Sequence, residues 1–538
     1  MKGKKIANWA MFRFKIIKTL TLSTFCLFIT LFQYSCRTNI QTKRITVASS
    51  GKIESLDPAR ANTLKALQLI SSLGDTLYEL NNDGKLTPKL ASKMPVISKD
   101  KLRISISLKE NILFHDGTLF DSEAMKFTIE RFQRIGTNSY ILDKKIKSIE
   151  TPDSNTLIIN LNKPTSSIQG LLTSVNLTAI SPSFYKDHID KFLNDKFIGT
   201  GEYVLKRFSN ELQILDPNLN YWDDKPKNNG INFVGYSNSS SLYGALKSRQ
   251  IDVLLSNSID DSQRKDLSSL SKKKQLNEGI SNPTEVSFIT LRTNVEPLNK
   301  KAIRLAISKT LNREKISKNV SYGLRIPSKS LVPQFFKGEN LVSWPDFNPK
   351  EAIKILKEEG FCNGKTLNLP LTYRSNVPTD KLIALYWKQD VKALMEDCLS
   401  ISITGVESTT IYKNLSEGLY TAVILDWTGT YSDPEAYLTP LLSCNKLDKD
   451  ICREGESVYS GSFWGSENIE KLFLESEESY ANIRLESLLN IERLASESVP
   501  YIPIWVSSQK AWSQTYISKP IFNGAGRILM GNLEIINE

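Results

Sequence analysis

His115 and His188 are the only imidazoles in 538 residues. Any His-dependent nucleophile, general base or metal site has to be built on one of them. His115 lies in Phe114-His115-Asp116-Gly117, which reads as a turn between a strand and a helix, so its expected role is structural. His188 follows Tyr185-Lys186-Asp187 in a polar stretch and reads as a surface residue. No Gly-x-Ser-x-Gly elbow and no phosphate loop occurs. Acidic residues are abundant enough for a glycosidase-like carboxylate pair, yet no local motif singles one out. No cysteine pair has the spacing of a zinc knuckle. The chemistry-bearing residues point away from catalysis, from a metal and from any other cofactor.

Two of the six cysteines, Cys26 and Cys36, lie near the start of the chain. Lys2, Lys4, Lys5, Arg13, Lys15 and Lys18 precede an apolar run from Leu20 to Phe32 that closes on Ser35-Cys36, with no acidic residue throughout. That is the layout of a secretory signal over residues 1–36. A spanning helix takes about 20 mostly apolar residues, and this run is shorter. Cleavage and export are expected, with an uncleaved anchor as the alternative. A small residue directly before Cys36 suggests a lipoprotein signal in which Cys36 becomes the lipidated first residue. Gln33 and Tyr34 depart from the Leu and small residue that such signals prefer. The remaining Cys362, Cys398, Cys444 and Cys452 are even in number, which an oxidising compartment favours pairing. Of the three pairings we favour Cys444 with Cys452, closing a loop from Asn445 to Ile451. Cys362 and Cys398 would then tie the starts of two strands flanking a helix. Four free buried thiols are the alternative.

Without the signal's six basic residues, 63 Lys and Arg face 58 Asp and Glu, a net +5 in place of +11. No basic run is long enough for a nucleic-acid footprint, and Lys272-Lys273-Lys274 reads as a solvated loop. A chain of about 500 residues exceeds one core, so two or three lobes are expected. Short strands and helices alternate without repeats or low-complexity linkers, as in α/β and α+β architectures. Leu102, Ile104, Ile106 and Leu108 at period 2 predict a strand with one buried face. Thr156 to Leu161 predicts another, after the turn residues Pro152-Asp153-Ser154-Asn155. Between them Asp121 can cap a helix carrying Ala124, Met125, Phe127, Thr128 and Phe132. Asn348-Pro349 opens a helix with Ala352, Ile353, Ile355 and Leu356 on one face, stopped by Gly360. A further helix is expected from about Thr379 to Leu399, with Leu382, Ile383, Leu385, Tyr386, Val391, Leu394 and Met395 inward.

A series of short motifs runs in order from about Ile45 to Ser518. It begins with Ser55-Leu56-Asp57-Pro58-Ala59 and Asp83-Gly84-Lys85-Leu86-Thr87-Pro88, then Phe114-His115-Asp116-Gly117-Thr118 and Glu130-Arg131-Phe132. Ile149-Glu150-Thr151-Pro152-Asp153, Gly199-Thr200-Gly201-Glu202-Tyr203 and Asn220-Tyr221-Trp222 follow, with Glu202 where the pattern has Pro. Ile303-Arg304-Leu305-Ala306-Ile307, Asn312-Arg313-Glu314 and Pro500-Tyr501-Ile502-Pro503-Ile504-Trp505 complete it. In this the chain resembles the family 5 extracellular solute-binding proteins, the peptide- and nickel-binding group that serves ABC importers.

The resemblance implies a mixed α/β fold of two lobes with a hinge between them and an additional small domain. One lobe would comprise 42–79, 199–285 and 506–538, the additional domain 80–198, and the second lobe 286–505. Hinge closure would bury a ligand between the lobes. The implied function is capture of oligopeptides or peptide-like solutes outside the cytoplasm by a monomer, for delivery to a permease and its ATPase. The implied location is the periplasm or the outer face of the cytoplasmic membrane, with a lipid tether at Cys36. A binder of a nickel chelate, haem or a sugar is the alternative within the family, and a secreted hydrolase or a sensor's ligand module outside it.

A peptide enclosed between lobes loses its water, so its backbone groups need protein partners and its charged termini need counter-charges. The segment Asp426-Trp427-Thr428-Gly429-Thr430-Tyr431-Ser432-Asp433-Pro434 resembles the Trp-x-x-Asp-x-x-Asp/Glu-Pro segment of peptide binders. There the first Asp pairs with the ligand's α-ammonium; the matching position here is Thr430. Asp426 or Asp433 is the expected compensation, although Asp433-Pro434 also reads as turn. Arg374, in Tyr373-Arg374-Ser375-Asn376, matches an Arg that holds the ligand carboxylate in dipeptide binders, with a solvated loop Arg as the alternative. The ligand-contact set the resemblance implies is therefore Trp427, Thr428, Thr430, Arg374 and Asp426. A retained Arg374 with no Asp at 430 favours a ligand with a carboxylate and an altered or blocked amine.

Overall fold

The two longest strands of the computed structural model, Asn277–Leu291 and Tyr501–Ser513, pair antiparallel within an eleven-stranded mixed sheet. The structure describes residues 43–536 apart from 143–144, 257–258, 338–342 and 480. The basic and apolar leader with Cys36 lies outside the described residues. Among those described, no helix is long and apolar enough to cross a membrane.

Each long strand has one mostly apolar stretch, residues 286–291 and 501–506. Val286, Phe288, Ile289 and Leu291 are buried on one, and Tyr501, Ile502, Ile504 and Trp505 on the other, as central strands covered on both faces require. Beyond Asn277–Leu291 the sheet continues through Ala422–Thr428, Leu367–Arg374 and Leu399–Val406. Beyond Tyr501–Ser513 it continues through Val253–Leu255, Ile45–Ser50, Ile231–Tyr236, Leu212–Pro217 and Tyr203–Phe208. The pairing of the long strands slips between Ile280 and Pro283, and again between Pro283 and Glu285. Proline has no N–H to give to a ladder, so such breaks gather at it. The slip falls where the strand changes company. Its start pairs with the end of Tyr501–Ser513 that also pairs with Val253–Leu255, whereas from Glu285 onward it also pairs with Ala422–Thr428.

Residues 96–161 form a separate four-stranded antiparallel sheet, in the order Val96–Ile97, Arg103–Ser107, Thr156–Leu161, Ile146–Asp153. Ile104 and Ile106 are fully buried, as their alternation predicts. The helix Ser122–Ile135 packs on this sheet, with Asp121 Oδ1 accepting from the Ala124 N–H at 2.9 Å. Its Arg131 is fully buried and makes a two-pronged bond to the equally buried Asp57, at 2.9 and 2.6 Å. Two of the short sequence motifs, around Asp57 and around Arg131, are thus the two halves of one ion pair.

The helix opened by Asn348-Pro349 spans Pro349–Glu358 as expected. The next one, Pro378–Leu394, ends earlier than the expected Leu399 and buries a different face. Ile383, Ala384, Trp387, Val391 and Met395 are buried, whereas Leu382, Leu385 and Leu394 are exposed. Trp387 sets this orientation: its indole is enclosed and Nε1 donates to Thr310 Oγ1 at 3.0 Å. Positions 383, 387 and 391 recur at helical spacing on that face, which turns 382 and 385 outward. Cys362 is bonded to Cys398, ahead of the strands Leu367–Arg374 and Leu399–Val406 between which this helix runs. Cys444 is bonded to Cys452 beside the hairpin of Lys446–Asp448 and Ile451–Glu454.

Candidate ligand-binding cleft

A cavity of about 430 Å³ opens beside the slipped stretch of the long strand pair. Segments far apart in sequence wall it. Leu64 and Gln68 come from the helix Leu64–Leu73, and Thr284 and Glu285 from the slip. Asp426 to Ser432 come from the end of Ala422–Thr428 and the loop beyond it. Gln509, Lys510 and Arg527 come from the carboxy-terminal part. Four of the five residues expected at a ligand are therefore together: Asp426, Trp427, Thr428 and Thr430.

Strand register places them. Asp426 pairs with Ser287, Trp427 with Val286 and Thr428 with Glu285, so Asp426, Thr428 and Glu285 share one face of the sheet. The half-buried Trp427 ring is held by its Nε1, which donates to the Ala436 carbonyl at 2.7 Å. Tyr437 in the same wall donates to the Thr284 carbonyl at 2.7 Å. The hydroxyls of Thr428 and Thr430 have no hydrogen-bond partner among the described residues. Asp433 is engaged elsewhere: its carboxylate accepts from the Glu435 N–H and from Arg484 at 2.7 Å. It is turn structure.

Arg374, the fifth expected residue, does not line the cavity. It is buried, with Nε on Asp380 Oδ2 at 2.7 Å and Nη2 on Asp380 Oδ1 at 3.1 Å. Nη2 also reaches Asp426 Oδ2 at 2.6 Å, and Nη1 reaches the Tyr412 hydroxyl at 3.2 Å. Four of its five N–H donors are held by protein groups, and Asp426, a third exposed, stands between it and the cavity.

The ion pairs extend along the wall. Arg325 contacts Asp261 at 3.0 Å and Glu285 at 3.7 Å, and Arg264 contacts Asp261 at 3.7 Å. Three guanidinium groups, those of Arg264, Arg325 and Arg374, therefore face four carboxylates, those of Asp261, Glu285, Asp380 and Asp426. Within this network carboxylates outnumber guanidinium groups by one. Burial first, and then the neighbouring Asp426 charge, push Glu285 above the usual carboxylate range. A cation in the cavity beside Glu285 and Asp426 would relieve that strain.

His115 Nε2 lies 3.1 Å from the Gly201 carbonyl and Nδ1 accepts from the Gly199 N–H at 3.4 Å, a pairing that requires the neutral ring with its proton on Nε2. His188 is exposed. The only compact group of potential metal ligands among the described residues is Glu396, Asp397 and Cys398, and the Cys398 sulfur is in a disulfide.

Sequence reasoning missed Glu285, Asp380, Arg325 and Arg527. Asp380 carried one signal, an acid in the first turn of a helix opened by Pro378. The others had none, since their significance comes from neighbours distant in the chain.

The family described as bacterial extracellular solute-binding proteins, family 5, matches residues 85–449. The chain is 24% identical over 348 residues to the probable D,D-dipeptide-binding periplasmic protein DdpA of Escherichia coli K12, covering 63% of this chain and 65% of that one. It is 23% identical over 488 residues to di/tripeptide-binding protein 1 of Pseudomonas aeruginosa UCBPP-PA14, covering 85% and 87%. The crystal structure of a dipeptide-binding protein from Pseudoalteromonas sp. SM9913 with Met-Leu superposes with a TM-score of 0.77 at 19% identity, covering 92% of this chain and all of that one. With more than half of its length matched, the chain belongs to the bacterial extracellular solute-binding proteins of family 5.

Proposed function

We propose that this protein is the capture component of an ABC importer. It holds an oligopeptide or peptide-like solute in the cleft and delivers it to a membrane permease with its ATPase. In this reading it is a monomer tethered at the outer face of the cytoplasmic membrane through Cys36, and it carries out binding with no chemical step. One lobe comprises 42–79, 199–285 and 506–538, the second 286–505, and the additional domain 80–198. The separateness of the four-stranded sheet and the slip at 280–285 support that division. The slip is the proposed hinge.

The observation that carries the solute class is the surplus carboxylate at the cavity wall. A peptide's α-ammonium needs a buried counter-charge, which the Thr430 hydroxyl cannot supply. Asp426 and Glu285 can: Asp426 adjoins Trp427 along its strand, and Glu285 lies directly across from Thr428. Arg374 then acts by positioning Asp426, and the preference for a blocked amine inferred from Arg374 and Thr430 alone is replaced by one for a free amine. Native mass spectrometry of protein purified without unfolding tests the class. The expected result is a bound mass that fragments as a peptide. A sugar, haem or metal chelate in its place would contradict it.

A further inference from the structure

Among the described residues, Arg527 lines the cleft with a guanidinium that no protein group engages. It lines the 430 Å³ cavity and also an adjoining one of about 110 Å³. Among the described residues its guanidinium makes no ion pair and no hydrogen bond, and burial alone pushes it down to about 10. The other cations near the cavity are committed: Lys510 to Glu278 at 3.0 Å, and Arg374 to Asp380 and Asp426.

The position of Arg527 is built. Asn523 Oδ1 accepts from the N–H groups of Ala525 and Arg527 at 3.1 and 3.0 Å, and the Asn523 N–H donates to the Arg527 carbonyl at 2.8 Å. Gly526 sits at φ +75°, a conformation a side chain disfavours, which lets the turn close. Gln68 then clasps the next residue from both sides. Its Nε2 donates to the Ile528 carbonyl and its Oε1 accepts from the Ile528 N–H, each at 2.8 Å. An arginine with a pinned backbone and free donors is organised in advance for a planar anion. Beside it in the same wall, Gln509 Oε1 is buried without a hydrogen-bond partner, an acceptor for a ligand N–H.

We infer that Arg527, and not Arg374, is the residue that receives a carboxylate of the bound solute. Together with the surplus carboxylate at Asp426 and Glu285, it makes the cleft a receptor for zwitterions, a cationic group at one place and an anionic group at the other. This rests on the reading of the cleft as a peptide site. The carboxylate has two sources in a peptide, the carboxy terminus and an acidic side chain, and the test separates them.

Full-length protein is titrated with a mixed tripeptide library and with the same library amidated at the carboxy terminus, and bound species are counted by native mass spectrometry. Wild type is expected to prefer the free acids by about tenfold or more. In Arg527→Gln the two series should converge, a comparison made within one protein and so independent of any change in its stability. Arg374→Gln, which disturbs Asp426, should weaken both series alike and keep the ratio between them. If amidated peptides with Asp or Glu side chains still bind and still lose affinity in Arg527→Gln, the side chain supplies the carboxylate. Equal binding of acids and amides by wild type, with no effect of Arg527→Gln on either series, would overturn the inference and leave the peptide reading standing. Binding of neither series would overturn the peptide reading and this inference with it.

Discussion

The Arg374 guanidinium donates to Asp426 at 2.6 Å while holding Asp380 with two bonds, so an arginine buried behind the wall orients a carboxylate that faces the cavity. Removing a guanidinium from between two carboxylates leaves charge uncompensated. Arg374→Ala is expected to lower stability by about 3 kcal/mol, measured as the shift in urea unfolding free energy. Arg374→Lys, unable to make the two-pronged contact, should fall between that variant and wild type. A loss under about 0.5 kcal/mol in Arg374→Ala, in the range of surface pairs, would contradict the buried-pair description.

Asp57 and Arg131 form a second enclosed pair, joining the amino-terminal segment to the helix Ser122–Ile135. Asp57→Ala leaves Arg131 buried with one remaining acceptor, the Lys191 carbonyl at 2.7 Å. The expected loss is about 3–5 kcal/mol, and proteolysis should show residues near 57 released before the rest. Wild-type protease resistance in Asp57→Ala would argue against it.

Glu202 gives a pH dependence with a definite sign. Burial, opposed by the Gly531 N–H it accepts, pushes it up to about 7. In the window from about 4.5 to 7 the folded protein keeps a proton that the unfolded chain has lost. Its contribution to stability is therefore fully present below that window and declines as pH rises through it. Glu202→Gln should be more stable than wild type above pH 7, by on the order of 2 kcal/mol, with the difference vanishing near pH 4. Urea unfolding of both proteins at pH 4, 6 and 8 measures this, and parallel pH profiles would contradict it.

The two disulfides close loops of different length, with sequence separations of 36 for Cys362–Cys398 and 8 for Cys444–Cys452. Chain entropy assigns about 4 kcal/mol to the longer and about 2.5 kcal/mol to the shorter. Double Cys→Ser variants of each pair should lose stability in that order in thermal unfolding. The reverse order would show that local packing outweighs loop closure.

Local features were readable from the sequence. The Asp121 cap, the Thr156–Leu161 strand and the Pro349 helix start depend on residues within a few positions of one another. The fold came from the ordered motifs, and one of their physical causes is now visible in the Asp57–Arg131 pair. Apolar counting failed where one large residue decides an orientation, as Trp387 does for its helix. The cleft was half legible. Asp426, Trp427, Thr428 and Thr430 lie close in sequence and meet in space, whereas Arg374 is diverted by Asp380, six residues away, and Asp426, 52 away. Glu285 and Arg527 gain their meaning only from the charge balance of the assembled wall.

That balance is the centre of the account, and competition between free-amine and N-acetylated tripeptides tests it most directly. Equal concentrations of the two libraries are offered to wild type and to Asp426→Asn, and bound species are read by native mass spectrometry. The account predicts that wild type takes the free amines with about tenfold or greater preference and that the preference narrows in Asp426→Asn. Equal or tighter binding of the acetylated peptides by wild type would contradict it.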